Sequence, residues 1–365
     1  MSPTESTTGN PIKTPGKVND EVDSRTRSLV AHLQMERGTL RMLVLTVAAF
    51  LLFAILNPNV FLDPLNIVNM AVAAPEIGLL AIAVMVTMLT GGIDLSVVAI
   101  ANATGIALVT LSAHFPHAGG AMTGLIVIIS FLVGLLGGVA NGLLISRVGI
   151  TPILATLGTM QLFNGLAIVY TGGKTLYGVP SQLTTLGEAT LVGVPLLFLA
   201  FVLAAAAVAV VLNRTSLGLK LFLQGSNEKA ARYSGIRLTR TLMATYALSG
   251  ALAALAGVMI VARNPTASAD YGSSYVLLVI VIAILGGTNP SGGFGTVTGV
   301  VLATLTLQIV QTGFNIMRLS NYEYAIAQGV ILIVTLVVDQ ISRRRQANRQ
   351  TRPGRLSKPR PGIAQ

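Results

Sequence analysis

From Met42 to Val338 the chain holds only ten Lys or Arg and seven Asp or Glu. A stretch of roughly 300 residues is far too long for one membrane anchor, and so few charges cannot cover the surface of a water-soluble domain of that size. It reads as an all-α polytopic bundle in a bilayer. The remaining charge lies at the edges, with six bases and five acids before Met42 and eight bases and one acid from Asp339 onward. On a soluble chain the net charge of +11 would suggest nucleic acid, but no basic stretch is interleaved with aromatics and Trp is absent, which argues against that class. Zero Cys excludes disulfides, thiolate metal sites and Cys nucleophiles together.

Residues 1–38 form a polar tail, 39–341 the membrane domain and 342–365 a basic tail. Apolar segments fall at 42–56, 65–90, 93–112, 121–146, 151–171, 191–212, 239–262, 275–287, 295–317 and 322–341, so about ten crossings are expected. Pro75 is a candidate break in the second, and 275–287 is short. Loop charge sets the orientation, because cytoplasmic loops retain Lys and Arg. With both termini cytoplasmic and ten crossings, 21 of the 24 bases lie inside; only Lys174, Arg263 and Arg318 fall outside. A possible internal repeat aligns Thr104–Leu111 with Thr298–Leu305, each after a Gly pair, Gly91-Gly92 and Gly286-Gly287. The crossing count gives both copies the same orientation.

The inside loop 213–240 is the only long polar stretch between apolar segments and carries its own helix signals. Ser226 or Asn227 can cap, Glu228 to Tyr233 can make one to two turns, and Gly235 can stop them. Such a helix is a handle for a partner, or else its bases are a topology signal and contact with the membrane surface.

The run from Leu217 to Lys220 and from Gly225 to Ile236 resembles the cytoplasmic loop of permease subunits of ribose-type bacterial ABC sugar importers. The stretches Tyr246–Gly257, Gly91–Ser96, Asn141–Ile145 with Ile150–Gly158, and Gly286–Thr288 with Gly292-Gly293 resemble the same family. Val97-Val98-Ala99 departs from it, since a Gly-Ser pair commonly follows there. The resemblance implies a multi-pass inner-membrane protein paired with a second permease subunit, as a homo- or heterodimer, a cytoplasmic ABC ATPase, and a periplasmic or lipid-anchored solute-binding protein. It implies no cofactor on this chain, with ATP and Mg on the partner ATPase, and no enzymatic activity of its own. Gly225, Ser226, Asn227, Glu228, Ala230, Ala231, Arg232 and Gly235 would form the coupling helix, with Ala230, Ala231 and Ile236 packing and the charges orienting it. Branched-chain amino-acid permeases share the plan and are the alternative. An ion-coupled secondary transporter is a further one, but it needs ionisable groups in mid-membrane, and no base is expected there to pair with Asp94 or Glu76.

Candidates for the translocation path are Asp94, Ser96, Gln308, Gln311 and Asn315. Asp94 after two glycines reads as a cap for the following helix, a gating group or a solute contact. Glu76 after Pro75 reads as a first-turn acid or a site residue. Thr304, Gln308, Gln311 and Asn315 share one helix face, suited either to a hydroxyl-rich solute or to hydrogen bonds between helices. Gln161 and Asn164 form a shorter stripe with packing favoured, and Gly134, Gly138 and Gly142 allow close helix approach. Gly173-Lys174-Thr175 lacks the earlier glycine of a phosphate loop, and His114 with His117 lacks further metal ligands nearby.

Overall fold

The computed structural model describes residues 38–320, 322–330, 333 and 337; both polar tails and the end of the tenth apolar segment lie outside the described residues. Helix α1 (Gly38–Leu56) leads through the short α2 (Pro58–Phe61) into α3 (Pro64–Met88). Then come α4 (Val97–His114), α5 (Gly120–Leu143) with a π-helical end (Leu144–Val148), and α6 (Pro152–Thr171). Strand β1 (Leu176–Tyr177), α7 (Ser181–Glu188) and the β2 (Thr190–Leu191) and β3 (Val194–Pro195) hairpin lead into α8 (Leu196–Arg214). After α9 (Ser216–Ser226) and α10 (Glu228–Tyr233) the chain continues as α11 (Leu238–Arg263), β4 (Thr266–Ala267), α12 (Tyr275–Leu285) and α13 (Val297–Ile316). Residues 322–330 are helical again.

The first nine apolar segments therefore fall on helices, and the tenth begins as one. Among the described residues eight helices are long and apolar enough to cross a bilayer; α12, at 11 residues, is too short to span ~30 Å at 1.5 Å per residue. Pro75 does not break α3, which runs unbroken for 25 residues; packing against neighbouring helices makes an interior proline tolerable in such a bundle. The third segment starts later than expected, since Leu89–Ser96 form an irregular turn before Val97.

α3, α4 and α11 make the centre, with 78%, 67% and 72% of their most apolar windows buried, against 11% for α1 and 22% for α6. Outer helices present Leu, Ile and Val outward, as lipid requires. The glycine series on α5 does what its spacing implied: Gly138 lies backbone to backbone on Gly250 of α11, and Gly134 sits against Ala254. Connections expected on opposite faces separate cleanly. The turns after α3, before α6 and after α12 gather with α9 at one end. At the other end Gln182 donates to the Ala118 carbonyl, while β4, paired with β1 with Leu176 opposite Ala267, packs against Gly105 in the middle of α4.

Candidate functional site

Helix α9 ends against two turns of the membrane core. A Cβ on Gly225 would run into the Leu89 carbonyl and come within 2.5 Å of the Gly293 nitrogen, and Gly293 N–H donates to that same carbonyl at 2.9 Å. Gly91, Gly292 and Gly293 all have left-handed φ values of 80°, 91° and 79°, which L side chains rarely adopt. Three chain segments thus meet through bare backbone, and two of them lead directly into α4 and α13. The turns that precede α4 and α13 meet here, so both helices start from the same end of the bundle.

Beyond this junction the chain builds the short helix that the sequence signals. Asn227 is the cap, its Oδ1 accepting from Ala230 N–H at 3.0 Å; Ser226 is not, since its hydroxyl donates back to the Phe222 carbonyl at 2.7 Å. Gly235, at φ 79°, ends α10 with a paired closure: its N–H donates to Arg232 and that of Ile236 to Ala231, both at 3.1 Å. Glu228 and Arg232 pair with each other at 3.5 Å across one turn and stay largely exposed. Of the side chains expected to pack, Ala231 is buried and Ile236 half-buried, but Ala230 is exposed. The free face therefore carries charge rather than a run of alanines. Sequence reasoning missed Tyr233, 93% exposed at the end of α10; an aromatic in a short polar helix was the available signal.

Asp94 does not cap α4. Its Oδ1 accepts from Ser96 N–H at 3.0 Å and from the Ser96 hydroxyl at 2.6 Å, while Oδ2 accepts from Ser249 of α11 at 2.9 Å. Asn141 of α5 donates to Ser96 Oγ at 2.7 Å and accepts from Thr159 of α6 at 2.6 Å. Thr156 of α6 donates to the Ile93 carbonyl at 3.1 Å. Asp94, Ser96, Asn141, Thr156 and Ser249 are all essentially inaccessible, so the turn before α4 is bonded to three other helices with no cation at Asp94 among the described residues.

The α13 stripe is divided. Thr304 is buried and donates to the Val300 carbonyl of its own helix, Gln308 and Gln311 are half-buried, and Asn315 is exposed. Among the described residues no hydrogen bond links the stripe to the Asp94 network. On α6, Gln161 is exposed and Asn164 half-buried, so packing within the chain does not account for Gln161.

Glu76 overturns two expectations. It lies at the middle of α3 rather than in a first turn, and it has a basic partner, with Arg263 Nη1 3.2 Å from its Oε1. Arg263 was counted as an outside-loop residue; it is the last residue of α11 and its side chain turns back into the bundle.

Residues 66–336 match the family described as branched-chain amino acid transport system / permease component. The chain belongs to this permease family. The permease is 36% identical over 296 residues to the ribose import permease protein of Bacillus subtilis (strain 168), covering 80% of this chain and 89% of that one. It is 33% identical over 307 residues to the autoinducer 2 import system permease protein of Photorhabdus temperata, covering 82% and 90%. The corresponding protein of Yersinia enterocolitica is 34% identical over 272 residues, with 73% and 81% covered. No solved structure matches the permease.

Proposed function

We propose that this permease carries a sugar or sugar-like solute inward across the bacterial inner membrane by alternating access, with both termini cytoplasmic. ATP and Mg bind on a partner ATPase that grips α10, a solute-binding protein delivers the cargo on the opposite face, and a second permease subunit completes the membrane pore. The permease itself catalyses no reaction and carries no cofactor.

The observation that carries this reading is the backbone junction at Gly225. A capped helix that faces outward is joined, through contacts only glycine allows, to the starts of α4 and α13. Movement of α10 by a partner must reach those helices, because no flexible side chain lies between to absorb it. An ion-coupled carrier has no need of such a handle. The import permeases named for ribose and autoinducer 2 support the solute class; the family description leaves branched-chain amino acids as the competing cargo.

The test is reconstitution of the permease with its ATPase and binding protein in proteoliposomes. ATP-dependent accumulation of ribose, unaffected by a protonophore, is the expected result. Accumulation of leucine in place of ribose would move the cargo to amino acids, and ATP-independent, protonophore-sensitive uptake would sink the importer reading.

A further inference from the structure

We propose that the buried cluster around Glu76 is a contact site for a polyhydroxylated solute on the translocation path, closed on itself in this conformation. The proposal rests on the importer reading and names where its cargo touches this chain.

Glu76 stands at the middle residue of the 25-residue α3, and its side chain is 5% exposed. Its two oxygens are divided among three donors. Oε1 takes Arg263 at 3.2 Å and Tyr275 at 3.4 Å, and Oε2 takes Tyr271 at 3.1 Å. Asn264 donates to the Tyr271 hydroxyl at 3.3 Å. From α4, Asn102 donates to the carbonyls of Ala269 and Tyr271, at 2.8 and 2.9 Å. A carboxylate, a guanidinium, two phenols and the Asn264 carboxamide converge from α3, the end of α11, the 264–274 segment and the first residue of α12, and Asn102 of α4 holds the backbone of that segment.

Three features set this cluster apart from ordinary packing. The segment 264–274 has no helical structure, and its Ala269 and Tyr271 carbonyls accept from Asn102, which lies within the first half of α4. Irregular backbone at membrane depth is stable only when it is buried in protein or lines a cavity, and a shortened apolar helix beside such a stretch is the usual mark of a transporter's binding site. The helix that follows is the short α12. Second, a buried ion pair is seldom worth more than a well-packed apolar pair, so stability alone gives no reason to keep one here. Third, the groups match vicinal hydroxyls: the carboxylate accepts, the guanidinium donates, and phenols and amides do both. The hydroxyls of Tyr271 and Tyr275 occupy the positions that two solute hydroxyls would take. Arg263 is a third exposed and Asn264, Tyr271 and Tyr275 are half-buried, so the cluster is reached from their side while Glu76 is shielded behind them. Solute entry would exchange the tyrosine contacts for its own hydroxyls as the 264–274 segment lifts.

The chain has no cysteine, so a reporter introduced here is the permease's single thiol, and labelling is read on the permease band alone against the unsubstituted chain. Ser268 is half-buried and lines a small cavity with Asn102 and Tyr271. In the assembled importer carrying Ser268→Cys, a membrane-impermeant methanethiosulfonate reagent reports access to the cluster, and free ribose is the probe. Ribose is expected to slow labelling several-fold and leucine to leave it unchanged. Adding Tyr275→Phe, which removes one long hydrogen bond, raises the half-protecting ribose concentration about 3- to 10-fold. Glu76→Gln raises it further. Uptake of ribose by the assembled importer with no ribose protection of the reporter thiol, or protection unaltered by both substitutions, overturns the site while leaving the importer intact. Failure of the unsubstituted importer to take up ribose or any other polyol overturns both readings.

Discussion

Two carboxylates are buried in the same core and held by different kinds of neighbour. Asp94 is fixed by short side chains, Ser96 and Ser249, backed by Asn141, Thr159 and Thr156 on regular helices. Glu76 is fixed by an arginine and two tyrosines at the end of α11 and beyond it, where the backbone is irregular. Short side chains have little rotamer freedom to lose, so the Asp94 network forms at low entropic cost and moves as one piece; arginine and tyrosine have more to gain on release. The first arrangement suits passing on a displacement, and the second suits opening.

The sharpest way to break this contrast is at the rigid end. Gly225→Leu drives a side chain into the Leu89 carbonyl and Gly293 backbone, where no rotamer change relieves it. Overpacking of that kind costs about 1–3 kcal/mol, so ATP-driven uptake should fall on the order of 10- to 100-fold. Surface expression and the ATPase rate of the complex are measured alongside it. Ser216→Leu, exposed at the start of α9 and away from both the junction and α10, is the control and should retain uptake within about twofold. Equal loss in both variants would show that any bulk in this region is harmful and that the junction has no special part.

The two carboxylates can then be compared directly. Asp94→Asn leaves the Ser96 N–H and the Ser96 and Ser249 hydroxyls competing for one fewer acceptor in a fully buried place, a loss of about 1–3 kcal/mol. Glu76→Gln keeps an acceptor for the tyrosines and frees a partly exposed Arg263 that water can reach. The thermal midpoint of the detergent-solubilised protein should therefore drop further for Asp94→Asn than for Glu76→Gln. The reverse order would mean that the arginine cluster is the structural one.

At the outward face of α10 the effect is smaller. Tyr233, 93% exposed, is the kind of residue that anchors protein interfaces, and removing such an anchor costs about 1–2 kcal/mol. Tyr233→Ala should weaken binding of the ATPase roughly tenfold without altering the midpoint of the isolated permease. Lys229→Ala, a rim charge, should matter mainly at low salt. Undiminished ATPase affinity for Tyr233→Ala would move the grip elsewhere on the loop.

What the sequence made legible follows from the range of the interactions involved. The positions of the apolar helices and the capped α10 depend on local hydropathy and capping chemistry, and both can be read along the chain, whereas the short α12 is not announced by its apolar run. Asp94 was legible as a special residue but not in its role, because Ser249 lies 155 positions away and nothing local announces it. Arg263 was misplaced for a related reason. Counting bases by loop treats each as pointing into water, whereas Arg263 ends its helix and turns inward to a glutamate 187 positions earlier. Pro75 misled in the opposite direction, since a local helix breaker is overridden when neighbouring helices hold both halves in line. Tyr233 carried a signal in its identity, an aromatic in a short polar helix, but its 93% exposure is a property of the fold that no local pattern gives.

The smallest expected effect concerns the divided stripe on α13. Thr304 already spends its hydroxyl on its own helix, but Gln308 and Gln311 are half-buried with no side-chain hydrogen bond among the described residues. An amide in such surroundings costs stability unless something pairs with it, about 1–3 kcal/mol by protein measurements. The double change Gln308→Leu and Gln311→Leu should therefore leave the thermal midpoint equal or slightly raised. If the two amides face the solute, the same protein should transport about two- to fivefold more slowly, since each lost hydrogen bond is worth about 0.5–1.5 kcal/mol and water replaces part of it. The opposing signs are the readout: a midpoint that falls along with uptake would assign the glutamines to contacts between helices. In that case the path would rest on the Glu76 cluster alone, and the contrast between a rigid end and an opening end would become the whole account of how this chain moves its cargo.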